Sequence, residues 1–210
     1  MLPHLLLTLL TALPFLAGNT IAQDNQKLRI GDAAPDWKDL AGTDGARHSL
    51  ADLSSNAVVV ICFTCNSCPY SVDYEDRLIT LARQHAKTSG GVVVVAMNAN
   101  RKPSETLEKM TERARQKNFP FLYLIDETQQ VADSYGAVYT PEFFVLNKDR
   151  RVVYMGAMDD RTDPTQVTAR HVEVRPPRYA GALPRHPAQG RSVAAARRER
   201  RGVGARWGSP

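Results

Sequence analysis

The feature that most limits the fold of this chain is an apolar run that ends in a cluster of cysteines. Residues 57–63 read AVVVICF, and the chain continues as TCNSC to Pro69. A continuous β-branched run without polar alternation is typical of a central strand that is covered on both faces. From about Pro69 to Ala86, apolar residues recur at helical spacing. The pattern predicts a buried strand, a turn that carries cysteines, and a helix.

Further strands and helices alternate along the chain after this helix. Apolar runs predict strands at 92–96, 121–125, 142–146 and 151–155, and helical spacing predicts a helix capped by Ser104 and a shorter one over 127–135. The last two strands flank Asn147-Lys-Asp-Arg150, which is a hairpin signature. This order predicts an α/β fold with a central mixed β-sheet, parallel in its centre with an antiparallel edge, flanked by helices.

The first residues differ from this domain in composition. The apolar run from Met1 to Ala17 is interrupted by Pro14 and is too short to span a bilayer comfortably. Thr20-Ile-Ala22 then supplies the small residues that a signal peptidase recognises. We predict a signal peptide over 1–22 and a folded domain over 23–170. The mature protein is then expected to be periplasmic or secreted, with no membrane span.

The last forty residues differ as well. Residues 171–210 contain nine Arg and two Glu, so they carry more positive charge than the +5 of the whole chain. They are rich in Arg, Pro and Gly and lack apolar periodicity, which predicts a disordered basic tail. Since the rest of the chain has a slightly negative balance, the basic composition does not indicate nucleic-acid binding, and no nucleic-acid partner is expected.

The three cysteines of the chain have different predicted environments. Cys62 lies inside the buried strand, where a thiol is usually inert. Cys65 lies where the strand ends and the helix starts, so free N–H groups and the helix dipole are expected to lower its pKa. Cys68 lies one turn further, within reach of a mixed disulfide on Cys65. The pattern predicts catalysis by thiol–disulfide exchange at Cys65 and Cys68.

Other uses of three cysteines fit the sequence less well. A zinc site needs a fourth ligand, an iron–sulfur cluster needs a fourth Cys, and haem attachment needs a His where Pro69 stands. We therefore predict no cofactor and no resident metal. Copper(I) stays open as an alternative, because thiolates suit it and His85 or Met97 could add a ligand.

Three further motifs carry a resemblance to a known family. They are Ile30-Gly-Asp-Ala-Ala-Pro35, Tyr139-Thr-Pro-Glu-Phe-Phe144 and Tyr154-Met-Gly-Ala-Met-Asp-Asp160. With the cysteine cluster, they make the chain resemble the thioredoxin-like superfamily, in its AhpC/TSA–redoxin and TlpA/ResA-type exported branch. The resemblance implies a thioredoxin-like fold, with Cys65 as nucleophile and Cys68 as resolving thiol. It also implies that Thr140 and a cis Pro141 form the ledge on which substrate docks.

The sequence departs from this family in three places. Val59 stands where thioredoxin has a buried acid, so Asp73, Tyr74 or Glu75 is expected to take the proton of Cys68. A peroxiredoxin has Thr or Ser three residues before its reactive Cys, where this chain has only cysteines, and this disfavours a peroxidase. After residues 166–168 the expected last helix breaks off, and the tail is typical of a shifted reading frame in GC-rich DNA.

These observations predict an exported thiol–disulfide oxidoreductase that works through a mixed disulfide. Its expected partners are protein or small-molecule thiols and disulfides, together with an upstream thiol reductant or oxidant. The alternatives are a copper(I) chaperone on the same fold, an AhpC/TSA-type thiol peroxidase, and a redoxin remnant that binds without turnover. The direction of electron flow does not follow from the sequence.

Overall fold

The computed structural model describes residue 25 and residues 27–85 and 91–172. The predicted signal peptide (1–22) and the predicted tail beyond Val172 lie outside the described residues, so both stay predictions. None of the helices within the described ranges has the length and apolar character that crossing a membrane requires.

The described residues form a sheet with helices packed against it. The strands are β1 (Leu40–Gly42), β2 (Arg47–His48), β3 (Val58–Phe63), β4 (Val92–Asn98), β5 (Leu122–Ile125), β6 (Glu142–Leu146) and β7 (Val152–Gly156). The α-helices are α1 (Pro69–His85), α2 (Leu107–Lys117) and α3 (Gln130–Ser134). Short 3₁₀ turns lie at Leu50–Leu53, Pro103–Glu105 and Pro164–Gln166.

The sheet is mixed, in the order β2-β1-β5-β4-β3-β6-β7. Strands β3, β4 and β5 are parallel, with Val58 opposite Val92. Strand β6 pairs antiparallel with β3 and then forms the predicted hairpin with β7. The prediction of a parallel centre with an antiparallel edge is confirmed, and the sheet has an antiparallel pair at its other end as well, between β1 and β2.

The core lies on both faces of the sheet, and β3 contributes to each. Every residue of β3 is buried. Val58, Val60 and Cys62 face the side covered by α1 and α2, whereas the alternate residues face the side that contains Trp37 and Tyr135. This division follows from the two-residue period of a strand. It confirms the prediction that β3 is covered on both faces.

The start of α2 differs from the prediction. Ser104 is not its cap, because Ser104 lies in the 3₁₀ turn Pro103–Glu105. The extended backbone of Thr106 separates that turn from α2, and its hydroxyl accepts a hydrogen bond from the backbone N–H of Lys109 at 3.4 Å. Glu105 therefore precedes the helix instead of lying in its first turn. Similarly, Gln129 has a left-handed backbone, so α3 begins only after it.

Candidate functional site

The connection from β3 to α1 places two of the cysteines at the carboxyl end of the central strand. Strand β3 ends at Phe63, and α1 begins at Pro69, a residue favoured at the first helical position because no N–H is needed there. Cys65 and Cys68 lie in this connection, and Cys62 lies within β3. All three residues are buried, with exposed fractions of 1% for Cys62, 3% for Cys65 and 6% for Cys68.

The loop before β6 lies against the two cysteines. The Thr140–Pro141 peptide bond is cis, as the resemblance implied. The Sγ atom of Cys65 lies 3.7 Å from the Thr140 hydroxyl, and that of Cys68 lies 3.6 Å from the Thr140 carbonyl oxygen. The Ser71 hydroxyl is 3.8 Å from the sulfur of Cys65. The residues predicted to form one site, Cys65, Cys68, Thr140 and Pro141, are therefore brought together by the fold.

The two thiols hold one proton between them. The hydrogen bond to Cys68 raises the pKa of Cys65 far above its ordinary value, and burial and the charge of Glu105 act in the same direction. The same hydrogen bond lowers the pKa of Cys68 to about 5, supported by Thr140 and by the backbone N–H groups of Ser71 and Tyr70. At neutral pH the reduced pair therefore carries one negative charge, which the two sulfurs share through their hydrogen bond.

The lowered pKa expected for Cys65 belongs to the pair as a whole, because the two thiols share a proton. The first free N–H groups of α1 belong to Tyr70 and Ser71, and they point to Cys68, the residue directly before the helix. Cys65 accepts a hydrogen bond from the backbone N–H of Cys68, whereas the N–H groups of Asn66 and Ser67 donate to a carboxylate. The helix terminus thus stabilises the second sulfur of the pair.

That carboxylate belongs to Glu105, a residue of the site that the sequence analysis missed. Glu105 is 1% exposed and accepts hydrogen bonds from the backbone N–H of Asn66 at 2.8 Å and of Ser67 at 2.9 Å. The side chain of Asn98, at the end of β4, donates a third at 2.8 Å. An acidic residue beside a predicted helix start resembles an ordinary dipole partner, so the sequence held no signal of this contact.

A hydroxyl group from β5 completes this polar network under the dithiol loop. Tyr123 donates from its hydroxyl to the side-chain oxygen of Asn66 at 2.9 Å. Burial, and next the charge of Glu105, raise the pKa of Tyr123 well above its ordinary value, so the phenol stays protonated and remains a donor. The side-chain amide of Asn66 in turn donates to the carbonyl of Ser104. Hydrogen bonds with Glu105 and Tyr123 therefore hold the loop between the cysteines in place.

The three residues expected to take the proton of Cys68 lie in different surroundings. Asp73 is exposed, and the hydroxyl of Tyr74 donates to Asp159 at 2.9 Å. Glu75 is buried, accepts two hydrogen bonds of 2.8 Å from Arg113, and lines a small cavity together with Cys65. Of the three predicted groups, Tyr74 and Glu75 both line this cavity with Cys65, and Asp73 does not.

This cavity lies on the helix-covered side of the sheet. Its volume is about 10 Å³, enough for a single water molecule. Cys62, Cys65 and Pro141 line it, together with aromatic side chains of Phe119, Phe121, Tyr123 and Phe143. Cys68 does not line it. The cavity therefore gives Cys65 a different environment from that of its partner.

The proposed copper ligands do not join the site. His85 is the last residue of α1, roughly 25 Å from the start of that helix at 1.5 Å per residue. Met97 is fully buried in the cluster on the opposite face of the sheet from Cys62. Within the described ranges, no group of three or more His, Cys, Asp or Glu side chains could hold a metal ion.

Comparison with known proteins gives a consistent result. The redoxin family model matches residues 29–171. The thiol-disulfide oxidoreductase ResA of Geobacillus thermodenitrificans is 27% identical over 150 residues, which cover 70% of this chain and 80% of that protein.

Solved structures agree on the fold. An uncharacterized conserved protein from Geobacillus kaustophilus is 33% identical with a TM-score of 0.61, over 74% of this chain and 80% of that one. A hypothetical protein from Sinorhizobium meliloti 1021 has the same identity and TM-score, over 65% of this chain and 75% of that one.

Proposed function

Because this chain belongs to the redoxin family, we propose that it is a thiol–disulfide oxidoreductase that exchanges a Cys65–Cys68 disulfide with protein thiols through a mixed disulfide. The observation that carries the proposal is the approach of both sulfurs to Thr140, next to the cis Pro141. The ResA relatives, which are named for this activity, support it.

In the reducing direction, the pair carries one thiolate and one thiol at the outset. As Cys65 attacks a substrate disulfide, its proton passes to the Cys68 thiolate along the hydrogen bond between them. A mixed disulfide forms on Cys65, and the first substrate sulfur leaves as a thiolate. Cys68 then gives its proton to that thiolate or to water, attacks Cys65, and releases the second substrate thiolate. The pair ends as a disulfide, because it has given two electrons to the substrate.

The surroundings of the two sulfurs suit them to different roles in these steps. Cys65 lies beside the hydroxyl of Thr140, the residue before the cis Pro141, which supports its role as the sulfur that meets substrate. Cys68 keeps the N–H groups of Tyr70 and Ser71 after Cys65 has been consumed, so it ionises readily when the mixed disulfide has to be resolved. The assignment implied by the resemblance thus fits the electrostatics, in which the pair shares one negative charge.

Substrate docking is proposed along the segment that leads into the cis proline. Thr140 precedes Pro141; its hydroxyl lies next to the sulfur of Cys65, and its backbone carbonyl lies next to the sulfur of Cys68. Two residues earlier, Val138 is 45% exposed, which is unusual for a large apolar side chain in the described part of the chain. An extended substrate segment that pairs with the Thr140 backbone would bring an apolar side chain over Val138.

We also propose that the protein is exported to the periplasm or secreted, with residues 1–22 as its signal peptide. The support is the apolar opening of the sequence and its small-residue end at Ala22. Its partners are then thiols and disulfides outside the cytoplasm and an upstream thiol reductant or oxidant. Extracting the mature protein and sequencing its first residues tests this, and an intact Met1 would contradict it.

Trapping of the mixed disulfide tests the catalytic assignment. We expect the wild type to reduce insulin in the presence of dithiothreitol, and the Cys68→Ser variant to accumulate a covalent complex with a disulfide substrate. The Cys65→Ser variant should form none. Cys62→Ala is the matched control, since Cys62 is buried in β3, and it should retain turnover. A wild type that never exchanges, or a Cys62→Ala variant that loses turnover, contradicts the proposal.

A further inference from the structure

Glu105 lies where it can influence the chemistry of the pair without touching substrate. It comes from the 3₁₀ turn after β4, 40 residues along the chain from Cys65. Its two carboxylate oxygens accept from the backbone N–H groups of Asn66 and Ser67, the two residues between the cysteines. The side-chain amide of Asn98 donates to it as well. An ionised carboxylate accepts hydrogen bonds and donates none, so three N–H donors on one buried carboxyl group fit its ionised form.

The charge of this carboxylate is not neutralised by a neighbouring cation. On α2, the facing helix, Arg113 and Lys117 pair with Glu75, at 2.8 Å and 3.5 Å. Within the described ranges, Glu105 forms no ion pair and holds only its N–H donors. A buried charge without a cation acts strongly on its surroundings, because water does not screen it.

We propose that Glu105 is a positioning residue that makes the Cys65–Cys68 pair more reducing than the cysteines and the helix terminus alone would make it. It takes up the N–H groups of Asn66 and Ser67, which would otherwise stabilise a thiolate at Cys65. It also keeps a negative charge beside the reduced pair. This inference rests on the proposed function.

The redox consequence follows from which state of the pair is charged. The reduced pair carries a thiolate at neutral pH, whereas the disulfide is uncharged. A nearby anion therefore raises the free energy of the reduced state and leaves the oxidised state nearly unchanged. Oxidation, in which the pair gives two electrons to a substrate disulfide and one proton leaves with them, becomes more favourable. Stabilising the reduced form has the opposite effect and produces a strong oxidant.

The test is the equilibrium of the dithiol and disulfide forms with glutathione. In Glu105→Gln the charge is lost and the side-chain length is kept, so we expect the equilibrium constant to shift about tenfold toward the dithiol, roughly 30 mV in potential. Glu108→Gln is the matched control, because Glu108 is exposed in the first turn of α2 and the charge change is the same. It should leave the equilibrium within twofold of the wild type.

A second pair of variants separates charge from packing. Glu105→Asp and Glu105→Asn have the same size, and only the first keeps the anion. We expect the Asn variant to shift the equilibrium toward the dithiol relative to the Asp variant, and this comparison stands even where Glu105→Gln fails to fold. Thermal melting of all variants reports on folding, and a loss of stability alone would not move the potential.

Titration of the thiolate absorbance gives an independent readout. Removing the anion should lower the first apparent pKa of the reduced pair. The charge of Glu105 acts on the thiol of Cys65 and on the phenol of Tyr123 on β5, and the charge of Glu75 on α1 acts on the same phenol. The phenol of Tyr123 stays protonated over the range of the titration.

Failure of this inference is distinct from failure of the proposed function. If the wild type exchanges with glutathione and the neutral Glu105 variants match Glu108→Gln in potential and in thiolate titration, Glu105 does not tune the pair. If the wild type does not exchange with glutathione or insulin at all, the oxidoreductase proposal itself fails.

Discussion

Replacing Cys65 with alanine should leave Cys68 a much weaker acid. The hydrogen bond from Cys65 is the largest cause of the lowered pKa of Cys68, which is about 5 in the intact pair. Alanine removes the donor and retains the other groups that favour the anion, namely the N–H groups of Ser71 and Tyr70 and the hydroxyl of Thr140. Cys65→Ser keeps a hydroxyl at the same position and can still donate to the sulfur.

The size of the effect follows from these contacts. Loss of one hydrogen bond to a thiolate shifts its pKa by roughly 2. At pH 6, a pKa of about 5 leaves about 90% of the Cys68 thiol ionised, and a pKa of roughly 7 leaves about 10%. We therefore expect the thiolate fraction at pH 6 to fall about ninefold in Cys65→Ala and to change little in Cys65→Ser.

Absorbance of the thiolate near 240 nm, followed between pH 4 and pH 9, measures this fraction directly. Burial raises the pKa of Cys62 far above this range, so the signal of the Cys65 variants reports on Cys68 alone. The thiolate absorbance of Cys65→Ala should rise at a higher pH than that of Cys65→Ser. If both variants ionise near pH 5, the hydrogen bond between the thiols does not control the pair, and the location of the resting thiolate has to be reassigned.

Two further predictions concern the scaffold around the site. Asp159→Ala should lower the free energy of unfolding by about 3 kcal/mol, because it leaves the largely buried Arg77 without its carboxylate. Lys148→Ala, which removes an exposed ion pair, should lower it by less than about 0.5 kcal/mol. Urea unfolding measures both, and equal losses would contradict the prediction for Asp159. Met110→Ala should lower the free energy of unfolding by about 2–5 kcal/mol, since Met110 is fully buried on the inner face of α2. An unchanged urea midpoint would show that the core repacks around the cavity.

Sequence reasoning located the cysteines correctly because the relevant signal is local. The apolar run at 57–63 has no polar face, so it fits only a strand covered on both sides, and the structure places β3 there at the centre of the sheet. Thr140 and Pro141 lie more than 70 residues further along the chain, and it was the resemblance, not the pattern of residues, that brought them to the cysteines. The cis bond confirms that part of the resemblance.

The ionisation of the pair could not be predicted, because it depends on where each N–H group points. A shift of the helix start by a few residues decides which sulfur the helix terminus stabilises, and α1 begins at Pro69, next to Cys68 and four residues after Cys65. Glu105 is the second cause. Glu105 is far from the cysteines in sequence, so their contact could not be read from the sequence. The parallel pairing of β3 with β4 creates it, because that pairing brings the segment after β4 beside the segment after β3. An acidic residue in the segment that follows a neighbouring parallel strand is therefore worth testing as an electrostatic partner of a dithiol, whatever its separation in sequence.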